Sequence, residues 1–160
     1  DNVLCGLTVQ AGGSLLGALL RPPLLRARER RLRLTALAAL DRFGLTVLAD
    51  WPVAALAYGD RKRVELARAV VSEPRLLLLD EPVAGLNASE TAAVGAEIRR
   101  LRAQGYTVLL VEHDMELVMG VADRVVVLDG GRCLAQGTPD EVRRNPLVLE
   151  AYLGKTSLVA

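Results

Sequence analysis

The chain has 160 residues, 51% of them hydrophobic and 24% charged, with a formal net charge of +1. That is enough apolar material for one domain with a real core, and the charge balance excludes a nucleic-acid binder working by bulk electrostatics. Cys5 and Cys133 stand far apart with no metal-ligand spacing around either and read as reduced thiols, which suits a cytosolic protein. No apolar run reaches the roughly 18 residues needed to cross a bilayer, and the opening DNVLCGLTVQ lacks the basic start of a signal peptide.

Residues 1 to about 25 are poorly periodic and end in Pro22-Pro23, so the expectation is a short helix and then a loop. From Arg26 the segment RARERRLRLTALAALDRFGL places Leu34, Leu37, Ala38 and Phe43 at helical spacing, with Gly44 as a C-terminal cap. Glu29 interrupts the arginines of its first half, which favours a solvated face. A connection with a turn at Trp51-Pro52 leads to Tyr58-Gly59-Asp60, followed by a helix of strong formers to about Val71 and a stop at Pro74. Glycine at a helix start lets backbone approach a ligand, and the amides there attract anions. Asp60, taken alone, reads more readily as an N-cap than as a ligand-facing residue.

Leu76 to Pro82 spell LLLLDEP. A short apolar run closed by turn chemistry predicts a strand buried on both faces, as in a parallel sheet. Asp80 and Glu81 then reach the sheet's carboxyl edge, where ligands of open α/β sheets bind. The first acid can hold a divalent metal through water and the second can orient or deprotonate an attacking water. A strand that merely ends in a polar turn would also leave such a pair.

Gly85 permits a tight turn in the next loop, and Asn87 or Ser89 can cap a helix over about Glu90 to Ala103 with Val94, Ile98 and Leu101 on one face, closing at Gly105. TVLLVEHD predicts a second buried strand ending on Glu112, His113 and Asp114. A short helix from Met115 to about Val121, a third strand RVVVLD, a Gly130-Gly131 hairpin into RCLAQG and a capping box at Thr138 to Glu141 follow. Two short helices split near Asn145-Pro146 finish the chain. The order strand, helix, strand, helix, strand gives an α/β fold with parallel crossovers and a small antiparallel addition.

Three separated motifs resemble the nucleotide-binding subunit of an ABC transporter: LAYGD (Leu56 to Asp60) as the signature, LLLLDEP as Walker B with its catalytic acid, and His113 as the switch histidine. AGLN, VEHDMELVMGVADRV and GTPDEVRRNPLVLEAYLG are similar to ATP-binding subunits of branched-chain amino-acid importers. The resemblance implies an ABC-type P-loop NTPase fold, incomplete here, with a helical subdomain at 1–58, a core at 59–137 and C-terminal helices at 138–160. It implies ATP and Mg²⁺ as cofactors, with Asp80 supporting the metal through water, Glu81 activating the attacking water and His113 contacting the γ-phosphate. Tyr58, Gly59 and Asp60 would face ATP held by a second ABC subunit, and Gly85, Leu86 and Asn87 would form the loop between two sites. The partners implied are that second subunit and transmembrane permease subunits, without nucleic acid, at the cytoplasmic face of the plasma membrane.

The sequence departs from the family in three ways. Ala57 replaces a serine, Asp60 replaces a glutamine with Arg61, Lys62 and Arg63 next to it, and no Gly-rich phosphate loop with its lysine is present. Gly154-Lys155-Thr156 lacks the required glycine five residues earlier, where Leu149 stands. With that loop absent and no Met at its start, the chain reads as the C-terminal part of a longer ATPase, inactive alone, with uncovered sheet faces that leave it aggregation-prone or only partly folded. Two other readings stay open: a non-transport ABC protein acting on DNA or ribosomes, and a non-catalytic fragment.

Overall fold

The computed structural model describes residues 1–7 and 22–156 and divides into two compact units, Asp1–Leu109 and Leu110–Ala160. The ragged stretch 8–21 expected from the sequence lies outside the described residues.

The first unit opens with a 3-10 turn, Val3–Leu7, whose Val3 and Leu7 are buried. Helix α1 spans Pro22–Arg42. The prolines expected to precede the helix instead occupy its first turn, where a backbone N–H has no intrahelical partner to lose. At the far end Gly44 has φ +66°. Its N–H donates to Asp41 O at 2.9 Å and the Leu45 N–H donates to Leu40 O at 3.0 Å, the bond pair of a left-handed C-terminal cap. The buried face of α1 differs from the expected one: Ala36, Ala39 and the following Phe43 face inward, whereas Leu34 and Leu37 are exposed. The alanines let neighbouring backbone approach closely, so the inward stripe is set by fit rather than by the largest side chains.

Two 3-10 turns, Thr46–Leu48 and Val53–Ala55, lead to α2 at Tyr58–Val70, which buries Val64, Leu66, Ala67 and Val70. Strand β1 (Leu76–Asp80), helix α3 (Ala88–Ala103) and strand β2 (Thr107–Val111) follow. β1 and β2 are neighbours in a two-stranded parallel sheet. β1 is not buried on both faces as its leucines suggest: Leu77 and Leu79 are buried, while Leu76 and Leu78 are 50% and 68% exposed. β2 shows the same alternation, with Leu109 exposed and no residue fully buried. An all-leucine strand carries no record of which face will be covered; the neighbours decide. α3 buries Val94, Gly95, Ile98 and Leu101, as its spacing predicts.

In the second unit, α4 (Met115–Val121) is capped by Asp114, whose carboxylate accepts the Leu117 N–H at 2.9 Å. β3 (Val125–Asp129) and β4 (Arg132–Gly137) form the expected antiparallel hairpin, with Asp129 opposite Arg132 and a bulge between Val127 and Leu128. The third strand was expected to extend the parallel sheet; among the described residues it pairs with β4 in a separate two-stranded sheet. α5 (Pro139–Arg143) starts with the expected Thr138/Glu141 capping box and α6 runs over Pro146–Thr156. Val125, Val142 and Val148 form the centre of a small core. Gly154 to Thr156 are helical within α6, without the strand and loop that a phosphate cradle requires.

Candidate functional site

β1 carries Asp80 and Glu81 to its carboxyl end, and both are exposed. Glu81 has φ +43°. Cβ sterics make this left-handed region uncommon for a non-glycine residue, and the following Pro82 restricts it further, so the conformation costs about 1–3 kcal/mol and persists only where surroundings impose it. Those surroundings are visible. Pro82 and Val83 are buried, the Ala84 N–H donates to Glu81 O at 3.1 Å, and the Leu86 N–H donates to Val83 O at 3.0 Å. The acid therefore stands on a tight turn fastened at both ends.

The loop continues into α3 through a full capping box. Asn87 Oδ1 accepts the Glu90 N–H at 3.0 Å, and Glu90 Oε2 accepts the Asn87 N–H at 3.0 Å. The capping role expected of Asn87 is present, and its partner Glu90 was readable from the Asn-x-x-Glu spacing. Gly85, with φ +77°, adopts the left-handed conformation its residue type allows.

The start of α2 lies against this loop. Ala57, not Asp60, is the N-cap, and it offers no side-chain bond to the first amides. The Tyr58 hydroxyl donates to Ala84 O at 3.1 Å, and a Cβ placed on Gly85 would stand 3.3 Å from Tyr58 Cε1. A Cβ on Gly59 would stand 3.0 Å from Glu90 Oε1. Four residues singled out in the sequence, Tyr58, Gly59, Gly85 and Asn87, thus meet at one junction, with Ala84 and Glu90 completing it.

Asp60 lies in the first turn of α2 and is ion-paired with Arg63. Of the three basic residues after it, Arg63 alone neutralises it in this way. Arg61 donates to the carbonyls of Leu56 (2.9 Å) and Ala54 (3.2 Å), pinning the preceding turn. Lys62 pairs with Glu65 at 3.4 Å and sits 5.8 Å from the Tyr58 ring centroid. The negative charge of Asp60 in the first turn of α2 is thereby balanced three residues along the same helix.

In the second unit, His113 follows β2 with a largely exposed side chain. Its Nδ1 lies 3.9 Å from Glu112 Oε2, and the Glu112 carboxylate, buried, accepts the His113 N–H at 3.1 Å. Glu112 thus shapes the turn that presents His113, a role the sequence marked only by the acid's place at a strand end. Among the described residues, no three His, Cys, Asp or Glu side chains are grouped to hold a metal ion. The exposed Asp80 carboxylate, with Glu81 next to it, would suit a hard ion that keeps most of its own water, as Mg²⁺ does.

Residues 5–84 match the pattern of the ABC transporter family, and residues 132–156 match that of the branched-chain amino acid ATP-binding cassette transporters. The high-affinity branched-chain amino acid transport ATP-binding protein LivG of Salmonella typhimurium is 44% identical over 156 residues, 97% of this chain and 61% of that protein. BraF of Pseudomonas aeruginosa, carrying the same description, is 42% identical over the same shares. The chain therefore spans 61% of the length of these relatives. Among solved structures, the ADP conformation of MJ1267, an ATP-binding cassette of an ABC transporter, superposes with a TM-score of 0.76 at 27% identity, covering 96% of this chain and 61% of the other. The acid pair at the end of β1 and the turn at the start of α2 lie inside the matched stretch 5–84, and on that match the chain belongs to the ABC transporter family.

Proposed function

We propose that this chain is the signature and Walker B portion of an ATP-hydrolysing subunit that energises branched-chain amino-acid uptake. The observation that carries the reading is the acid pair at the mouth of β1, inside the matched family region, with Glu81 held in a left-handed turn. The match of residues 132–156 to the branched-chain transporters favours transport over action on DNA or ribosomes.

In this reading Glu81 accepts a proton from water as the water oxygen bonds to the γ-phosphorus of ATP and the bond to the bridging oxygen breaks. Asp80 would hold Mg²⁺ through its water shell, and the ion would supply charge neutralisation for the phosphates. The turn at Tyr58, Gly59 and Asp60 faces a nucleotide held by a second ABC subunit, offering the first amides of α2 to phosphate oxygens. His113 contacts the γ-phosphate, and Gly85, Leu86 and Asn87 pass between the two sites. The helical portion before Leu56 meets the permease, and the protein is then peripheral at the cytoplasmic face of the plasma membrane. None of the described helices is long and apolar enough to cross a membrane itself.

The test is a chimera in which this chain replaces the matching 156 residues of the Salmonella LivG protein. The chimera is expected to hydrolyse ATP. Glu81→Gln should lower turnover about a hundredfold or more while ATP binding persists. Undiminished turnover in that variant removes Glu81 from the chemistry.

A further inference from the structure

We propose that Tyr58 is a positioning residue acting through the Ala84 peptide on the backbone of Glu81, an inference that rests on Glu81 being the water-orienting acid. Ala84 is the hinge of the argument because both of its peptide groups are engaged in opposite directions. Its carbonyl accepts the Tyr58 hydroxyl at 3.1 Å, and its N–H donates to the Glu81 carbonyl at 3.1 Å. The phenol of α2 therefore pulls on the same short turn that keeps Glu81 at φ +43°. A strained conformation holds only where the surroundings over-determine it, and this is a tie from outside the loop.

The ring contributes as well as the hydroxyl. Gly85, at φ +77°, leaves room for Tyr58: a Cβ there would come within 3.3 Å of Cε1 and 3.5 Å of the hydroxyl oxygen. Lys62, one turn along α2, holds its ammonium 5.8 Å from the ring centroid, on an element already fixed by the buried Val64, Leu66 and Ala67. With its proton committed to Ala84, Tyr58 serves phosphate recognition through its backbone, while its side chain makes the signature turn and the loop after the catalytic acid one piece within a single chain.

Tyr58→Phe keeps the ring over Gly85 and removes the donor. In this chain, hydrogen exchange at the Ala84 and Leu86 amides is expected to rise about fivefold, in line with loss of one ordinary hydrogen bond. In the LivG chimera the same substitution is expected to lower kcat about fivefold while KM for ATP stays within about twofold, and to add nothing in the Glu81→Gln background. Gly85→Ala, whose added Cβ presses on the ring at Cε1 and the hydroxyl, should lower kcat in the same manner. Unchanged exchange at Ala84 and Leu86 in Tyr58→Phe overturns the tie, and faster exchange with unchanged kcat overturns the positioning role. Turnover retained by Glu81→Gln would remove the acid's role and this consequence with it, and is distinguished because exchange at Ala84 would still rise.

Discussion

Two capping residues show how single side chains set local order here. Asn87 satisfies the Glu90 N–H at the start of α3, and Asn87→Ala is expected to lower stability by about 1 kcal/mol in a denaturant titration. At α5 Glu141 makes the reciprocal bond of its capping box, accepting the Thr138 N–H at 2.7 Å and the Thr138 hydroxyl at 3.0 Å. These bonds, with a smaller contribution from the Arg124 charge, hold the Glu141 carboxyl below its ordinary pKa despite a small opposing effect of burial. Because the folded pKa is the lower one, the stabilisation is complete above the ordinary carboxylate range and is lost as pH falls through the folded value. Melting temperatures of the chain and of Glu141→Gln should therefore differ at neutral pH and converge as the pH falls through the lowered pKa of the folded state. Both capping boxes could be seen in the sequence as Asn-x-x-Glu and Thr-x-x-Glu, because a cap joins residues three apart and needs nothing distant.

At the scale of elements, the strands separate what hydrophobicity states from what packing uses. Leu78 and Leu79 are chemically identical neighbours, yet one is 68% exposed and the other 8%. Leu79→Ala should cost about 2–5 kcal/mol through transfer and cavity terms, whereas Leu78→Ala should change the stability of this chain by about 0.5 kcal/mol or less. Equal losses in paired unfolding curves would contradict the alternation. α1 makes the same point: its ends follow chain-local rules, but the inward choice of Ala36 and Ala39 over Leu34 and Leu37 depends on how closely α1 can approach its neighbours.

For the molecule as a whole, the consequence is an apolar sheet surface in water. Leu76, Leu78 and Leu109 are at least half exposed on neighbouring strands, a pattern that soluble monomers avoid in contiguous patches. The expectation of uncovered sheet faces drawn from the sequence is met in these leucines. The chain should self-associate in light scattering as its concentration rises. The double variant Leu78→Lys with Leu109→Lys should lower both scattering and hydrophobic-dye binding without altering the far-ultraviolet circular dichroism. Unchanged scattering would place the association elsewhere.

The sequence alone determined the order of helices and strands, the hairpin at Gly130-Gly131, the caps, and the acids at the end of a strand, because each of these follows from neighbours a few residues apart. It also carried the family through LAYGD and LLLLDEP, since both are particular residues at a fixed local spacing. Only the tertiary structure decided that Glu81 takes a left-handed turn, that Arg63 rather than Arg61 or Lys62 neutralises Asp60, and that Tyr58 reaches Ala84, 26 residues away. Such choices depend on which elements come to lie side by side. A side chain's partner across that distance is fixed by packing, and no local pattern records it.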